Sequence, residues 1–372
     1  MRVLGIILAG GMGGGIWPLT SKRASAAVPV FGKYRAVDFT LSNMVNSGIT
    51  KVGILTQYNP RSLMDHLGSG KDWDLDRRRG GLFVLQPYLS SGSDKMGYRG
   101  TADAIFQNMT LLRRGDEDYV LIGSGDHIYN MNYSEMMKQH LASGADVTFV
   151  VKELDNSYNL SDYGIVEINE DGRIVGFEEK PKDPQTDLAS LGIYFMNKHL
   201  LMDLLYATVP HGGYDLLLDV LLPNIRRFFF RAYRFGGYWR NVKKGILEYY
   251  RTNMSVLDSR VRRELFRSKN KIYTKLKDLP PPKVGATGSV QNSIVADGCI
   301  VNGIVRNSIL FRSVTVRAGA VIEDSIIFEG SSVEEGAHVI CSIVDKDSVV
   351  RASKIVRGSR EHPLAFEKSS VL

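Results

Sequence analysis

The sequence predicts two folds in series: an α/β domain on a mostly parallel, Rossmann-like sheet, then a left-handed parallel β-helix. Three observations carry this. Short β-branched runs alternate with amphipathic stretches up to about residue 250. A proline cluster within Leu279 to Lys283 then interrupts the chain. Beyond it, apolar residues recur about every six positions.

The runs Val3–Leu8, Lys51–Leu55, Tyr119–Ile122 and Val147–Val151 read as buried strands. Helical patterns lie between strands, for example over Ala102–Leu112 and Tyr133–Ala142. Such alternation gives a mostly parallel sheet with helices on both faces. Ligands of such sheets sit at the carboxyl ends of the strands, where Gly10–Gly15 and Gly123–Gly125 fall. Residues 245 to 280 read as a charged linker helix, and the prolines after them as a boundary. The expected units are therefore 1–245, a helical and proline linker over 246–283, and 284–372. In the last unit four segments resemble one another: Asn292-Ser293-Ile294-Val295, Asn307-Ser308-Ile309-Leu310, Asp324-Ser325-Ile326-Ile327 and Cys341-Ser342-Ile343-Val344. Their spacings are 15, 17 and 17 residues. A finer beat of six runs through Ile294 and Ile300, then Val314, Ala320 and Ile326, then Val333 and Val339. A coil that buries one aliphatic row cannot stand alone, so coils stack.

A chain of 372 residues suits two cores better than one. With 44% hydrophobic and 23% charged residues, disordered and fibrous classes drop out. No apolar run approaches the ~20 residues of a membrane helix. Val3–Ala9 leads into glycines rather than a cleavage site, so it reads as a first strand, not a signal peptide. Cys299 and Cys341 form neither a disulfide framework nor a zinc set, which suggests a cytoplasmic location. The net charge of +7 is spread over local clusters such as Arg77–Arg79 and Lys243–Lys244. No tail or helix is uniformly basic, which speaks against nucleic acid and suits small anionic metabolites.

The stretch Leu8-Ala9-Gly10-Gly11-Met12-Gly13-Gly14-Gly15 follows the first strand directly. Glycines let backbone amides approach a phosphate or a base. No Gly-Lys-Ser/Thr follows, so this is not a Walker loop, and Asp38 is poorly placed as the acid of a dinucleotide loop. Asp126, after a buried strand and in a glycine-rich bend, is well placed for a metal. Further motifs follow: Val28-Pro29-Val30-Phe31-Gly32-Lys33-Tyr34-Arg35, Leu55-Thr56-Gln57-Tyr58, Tyr98-Arg99-Gly100-Thr101-Ala102-Asp103, Gly125-Asp126-His127-Ile128-Tyr129, Phe177-Glu178-Glu179-Lys180-Pro181, Ser190-Leu191-Gly192 and Gly237-Tyr238-Trp239.

In this order, and with the β-helix tail, the chain resembles bacterial ADP-glucose pyrophosphorylase (glucose-1-phosphate adenylyltransferase) over nearly its full length. The resemblance implies a nucleotidyltransferase domain that joins ATP and glucose 1-phosphate into ADP-glucose and pyrophosphate. Such chemistry needs positioning and charge neutralisation, supplied in part by Mg2+ on carboxylates. By resemblance, Leu8, Ala9, Gly10, Gly11 and Gln57 surround the adenine and ribose, with Tyr98, Gly100, Thr101 and Ala102 completing the nucleotide contacts. Asp126 matches a metal-binding catalytic aspartate. Gly164, Glu179, Lys180 and Ser190 match the sugar-phosphate side, Lys180 being the substrate lysine. Lys33 and Arg35 fall in the stretch that serves anionic effectors.

Three positions depart from the family pattern. Gly15 stands where relatives carry an arginine for the ATP phosphates, Ser25 where they carry a phosphate-binding lysine, and Asn241 where they carry the second metal aspartate. Two losses remove positive charge from the triphosphate, and one removes an anion from the metal. Losing a transition-state arginine alone costs on the order of a thousandfold or more. The chain is thus expected to resemble the GlgD-type regulatory subunit, partnering a catalytic subunit in a heterotetramer or forming a homo-oligomer alone. Expected ligands are ATP or ADP-glucose and phosphorylated sugar effectors. The alternatives are an active adenylyltransferase rewired with lysines such as Lys22 or Lys243, and a scaffold that binds no nucleotide. An acyltransferase role for the β-helix is disfavoured, because His338 is the only histidine within the repeats.

Overall fold

The computed structural model describes residues 1–87 and 97–372. Its first unit is a nine-stranded sheet. Strands β1 (Val3–Leu8), β2 (Lys51–Leu55), β3 (Gly81–Leu85) and β4 (Tyr119–Ser124) are followed by β5 (Val147–Glu153), β6 (Gly164–Ile168), β7 (Ile174–Glu179), β8 (Leu188–Asn197) and β9 (Phe230–Arg234). The order is β7-β6-β8-β4-β1-β2-β3, with β5 against β8 and β9 against β5. The half built from β4, β1, β2 and β3 is all parallel. Both faces are covered, which is why these strands are continuous apolar runs rather than alternating ones. Ile7, Val52, Ile54 and Leu121 face one core, while Leu4, Ile6, Val120 and Ile122 face the other.

Strand β8 reverses direction and pairs antiparallel with β4 and β5. Its register against β5 slips between Ser190 and Tyr194. A bulge of this kind re-aims side chains, and here it sits at Ser190, Leu191 and Gly192. A small ribbon, Trp239–Asn241 against His127–Tyr129, sets Asn241 opposite His127.

The helical linker is shorter than expected. Helices span Ile246–Ser255 and Ser259–Phe266, and residues 267–282 form no helix. The backbone groups of that stretch are used by another helix, α1 (Ala36–Asn46): Tyr273 N donates to Ser42 Oγ at 2.9 Å, and Asn46 Nδ2 donates to the Lys271 carbonyl at 2.8 Å. The linker is therefore a strap bound across α1.

Three five-stranded parallel sheets then form a β-helix, beginning at Lys283–Val284. The repeated segments stack in register, with Ile294, Ile309, Ile326 and Ile343 in line. Asn292, Asn307, Asp324 and Cys341 occupy the left-handed region, with φ of 43°, 45°, 46° and 46°. Asparagine and aspartate tolerate that conformation best among residues with a side chain. The serines form a ladder: the Ser308, Ser325 and Ser342 amides each donate to the hydroxyl of the serine one coil below, at 3.0, 3.0 and 3.1 Å.

Two expectations about the buried row need correction. Ile300 is 44% exposed, and Val301 beside it points inward. In the Ser-Ile segments the inward residues are Leu310, Ile327 and Val344. The isoleucines Ile309, Ile326 and Ile343 face outward, yet they are fully buried against Phe31, Phe39 and Tyr249 of the preceding units. One strand thus serves two cores, each fully buried aliphatic contributing ~1.5–3 kcal/mol. The junction is also pinned by polar groups. The Arg23 guanidinium grips Asp345 through two hydrogen bonds of 2.7 and 2.8 Å, and the two side chains are 4% and 1% exposed. Among the described residues no helix is long and apolar enough to cross a membrane.

Candidate functional site

A cleft of about 630 Å³ opens at the carboxyl ends of β1, β2 and β4. Most of the predicted site residues meet there. Leu8, Gly10, Gly11, Gln57, Tyr98, Gly100 and Thr101 line one end, and Gly164, Glu179, Lys180 and Ser190 line the other. Asp126 and Asn241 lie between them. The end lined by Gln57 and Tyr98 is held by internal hydrogen bonds. Gln57 Oε1 accepts from the Tyr98 amide at 2.7 Å, and the Tyr98 hydroxyl accepts from Asn108 Nδ2 at 2.9 Å. Gly100 is a close approach: a Cβ there would lie 2.6 Å from the Tyr214 carbonyl. Ala9 and Ala102 do not reach the surface. They are buried behind the wall, their amides donating to the Leu55 and Tyr214 carbonyls.

Asp215 and the residues after it were not predicted. They form a wall in which Thr101 Oγ1 donates to Asp215 Oδ2 at 3.3 Å and accepts from the Leu216 amide at 2.8 Å. The sequence signal was an aspartate directly before a leucine run, the pattern of a helix N-cap. At the sugar-side end, Lys180 sits in the left-handed region (φ 52°), and its ammonium is 3.5 Å from Glu179 Oε1. His127 and Trp239 line the floor edge to face, 5.1 Å between ring centroids. Burial pushes the His127 imidazole down to about 4 even beside Asp126, so it is neutral at pH 7.

The electrostatic centre is Asp126. It is buried, and Ser124 Oγ donates to its Oδ1 at 2.6 Å. Its Oδ2 accepts from Ser25 Oγ at 3.3 Å and pairs with Lys243 Nζ at 3.1 Å. Burial alone would raise this carboxyl. The Lys243 ammonium, His127 and the Ser124 hydroxyl outweigh it and hold the group below the usual carboxylate range. Neither Ser25 nor Gly15 lines the cleft. Ser25 is buried beneath Asp126. At Gly15 a Cβ would lie 2.5 Å from the Lys243 carbonyl oxygen. The glycine is therefore what lets the turn of Lys243 and Lys244 close onto the loop. Lys244 also lines the cleft, its ammonium bound by the Asp162 carbonyl and 4.4 Å over the Tyr163 ring.

A second cleft, of about 380 Å³, lies between the first unit and the β-helix. Lys33 and Arg35 line it, together with Arg61, Lys275, Arg312 and Lys346 among others. Arg35 Nη1 donates to the Ala27 carbonyl at 2.6 Å, which ties this cleft to the turn holding Ser25. Burial and Arg35 push Lys346 down to about 8. Glu329 is held at about 2: burial would raise it, but Lys346 and Lys277 prevail.

A glycine turn beside a base-sized wall, a sugar-side Glu-Lys pair and a buried carboxylate between them, on a sheet followed by a β-helix, describe a sugar-nucleotide nucleotidyltransferase. Residues 4–244 match the nucleotidyl transferase family, and residues 280–362 match a GlmU-like C-terminal hexapeptide domain. The chain is 43% identical over 327 residues to the glucose-1-phosphate adenylyltransferase of Geobacillus stearothermophilus, covering 87% of this chain and 83% of that protein. It is 40% identical over 360 residues to the enzyme of that name from Bacillus cytotoxicus, covering 95% and 94%, and 42% identical over 320 residues to that of Bacillus subtilis, covering 85% and 83%. The chain belongs to the glucose-1-phosphate adenylyltransferase family.

Nucleotidyltransferases of this kind use Mg2+, which demands near-octahedral oxygen ligation. The residues here do not fit it. In nucleotide sites that ion is held by one or two carboxylates together with phosphates, and here the buried carboxylate of the cleft, Asp126, is engaged by a lysine ammonium. The Asn241 carbonyl oxygen accepts from the Lys243 amide at 3.2 Å, within its own turn. The Oδ2 of Asp126 already pairs with the Lys243 ammonium.

Proposed function

We propose that this chain is a regulatory subunit of glucose-1-phosphate adenylyltransferase in glycogen synthesis, holding ATP or ADP-glucose and turning over little or nothing itself. The observation that carries this is the Lys243–Asp126 pair sealed over Gly15. The same turn removes the room for a phosphate-binding side chain on the loop and covers the metal carboxylate. The nucleotide and sugar walls argue for retained binding, and hence against a scaffold without a nucleotide. Its partner is a catalytic subunit in a mixed tetramer, to which it is coupled by the typical 1–3 kcal/mol. The second cleft, with Lys33 and Arg35, takes a phosphorylated sugar effector.

One observation favours a second reading, an active enzyme: Lys243 puts a cation at the floor of the cleft where the loop arginine is missing. Mixing separates the two. ADP-glucose synthesis is measured for a catalytic subunit of the same organism, with and without this chain. A changed rate, substrate affinity or effector response in the mixture supports the regulatory reading. An unchanged catalytic subunit, with added turnover from this chain, supports the other.

A further inference from the structure

We propose that Lys243 is a built-in counter-cation in place of a divalent ion, so that the first cleft takes a nucleoside-diphosphate sugar without magnesium. This rests on reading that cleft as a nucleotide site. Three features carry the inference.

The first is placement. Lys243 lines the cleft, 43% exposed, with Nζ 3.1 Å from Asp126 Oδ2. An ammonium has three donors, so Asp126 takes one while others remain to face a phosphate oxygen. The second is fixation. The Lys243 amide is held by Asn241 Oδ1, and its carbonyl packs where only a glycine at position 15 leaves space. The absence of a side chain at position 15 and the placement of Lys243 are thus physically linked. The third is ligand charge. The cleft lining holds four basic residues, Arg99, Lys180, Lys243 and Lys244, against four acidic ones, Asp126, Asp162, Glu179 and Asp215. A triphosphate with a sugar phosphate would bring far more negative charge than this balance offsets. A finished sugar nucleotide brings much less and fills both ends of the cleft at once.

The test is calorimetry of ADP-glucose with the full chain, in EDTA and in excess MgCl2. Wild type is expected to bind in both, within about twofold. Lys243→Ala in EDTA is expected to lose about tenfold or more, as for a charge-assisted hydrogen bond, and to recover part of it in MgCl2 as Asp126 becomes free. Lys243→Met serves as a second variant that keeps the bulk of the side chain. Paramagnetic resonance of Mn2+ added with ADP-glucose gives a readout besides affinity: wild type leaves the ion free, Lys243→Ala immobilises it between Asp126 and the phosphates, and immobilisation by wild type would overturn the inference. Wild-type binding only with MgCl2, or unchanged binding by both variants in EDTA, overturns the inference while leaving the nucleotide site. No wild-type binding in either buffer overturns both.

Discussion

The two clefts of this molecule differ in charge: one is balanced and the other is strongly basic. The first has four basic and four acidic residues, and the second has nine basic residues against Asp65 and Glu329. Both adjoin the same short stretch of chain: Ser25 lies beneath the first cleft, Arg35 lines the second, and Arg23, just before Ser25 in sequence, grips Asp345 beside Lys346. The neutral cleft carries the walls expected of a nucleotidyltransferase, with Lys243 paired to Asp126 at its centre. The cationic cleft has the charge to hold an anion at a junction between two units. Under the proposed function the difference divides the work: the neutral cleft holds a nucleotide without turning it over, and the cationic cleft takes the effector.

The largest expected effect comes from rebuilding the first cleft. The set Gly15→Arg, Ser25→Lys and Asn241→Asp is expected to remain inactive, because the Lys243 carbonyl occupies the space of any side chain at 15. Adding Lys243→Gly and Lys244→Thr frees the turn. Turnover in an ADP-glucose synthesis assay is then expected to rise on the order of a thousandfold. Full activity of the triple variant alone would show that the turn yields easily.

The next effect tests the link between the clefts. Arg23→Met leaves the buried Asp345 carboxylate without its counter-charge, with the Lys346 amide still donating to it, and is expected to cost about 3–5 kcal/mol in denaturant unfolding. Arg23→Met with Asp345→Leu is expected to recover most of that, since an apolar pair of similar volume replaces a buried ion pair at little cost. Equal loss in both would mean that the pair acts through something other than its buried charge.

A smaller effect concerns the cationic cleft. Fructose 1,6-bisphosphate binding, followed by calorimetry, is expected to weaken about tenfold in Lys33→Ala, a lost contact to a charged group. It is also expected to weaken as pH rises. Lys346 lies below the usual lysine range, at about 8, so it is charged and attractive to an anion below that pH and neutral above it. Affinity that is flat across pH 7 to 9 would place the ligand away from Lys346.

Much of the fold was legible because its signals are local. The strand Lys51–Leu55 is a continuous apolar run between polar ends, and the coils declare themselves by repeats 15 and 17 residues apart. The orientation of the Ser-Ile rows was not legible. Ile326 and Ile327 look alike in sequence, and only the neighbouring unit decides that one faces out and is still buried. The same holds in the cleft. The losses at Gly15, Ser25 and Asn241 could be read singly against the family pattern. That Lys243 closes over Gly15 and pairs with Asp126 depends on the ribbon that sets Asn241 opposite His127, a contact between segments far apart in the chain.

The central claim, that turnover has gone while the fold remains, is tested most directly by ADP-glucose synthesis from saturating ATP, glucose 1-phosphate and MgCl2 with this chain alone. The expected rate is lower than that of a catalytic relative by on the order of a thousandfold or more. A rate comparable to the relative's would contradict it and make Lys243 part of a working catalytic site.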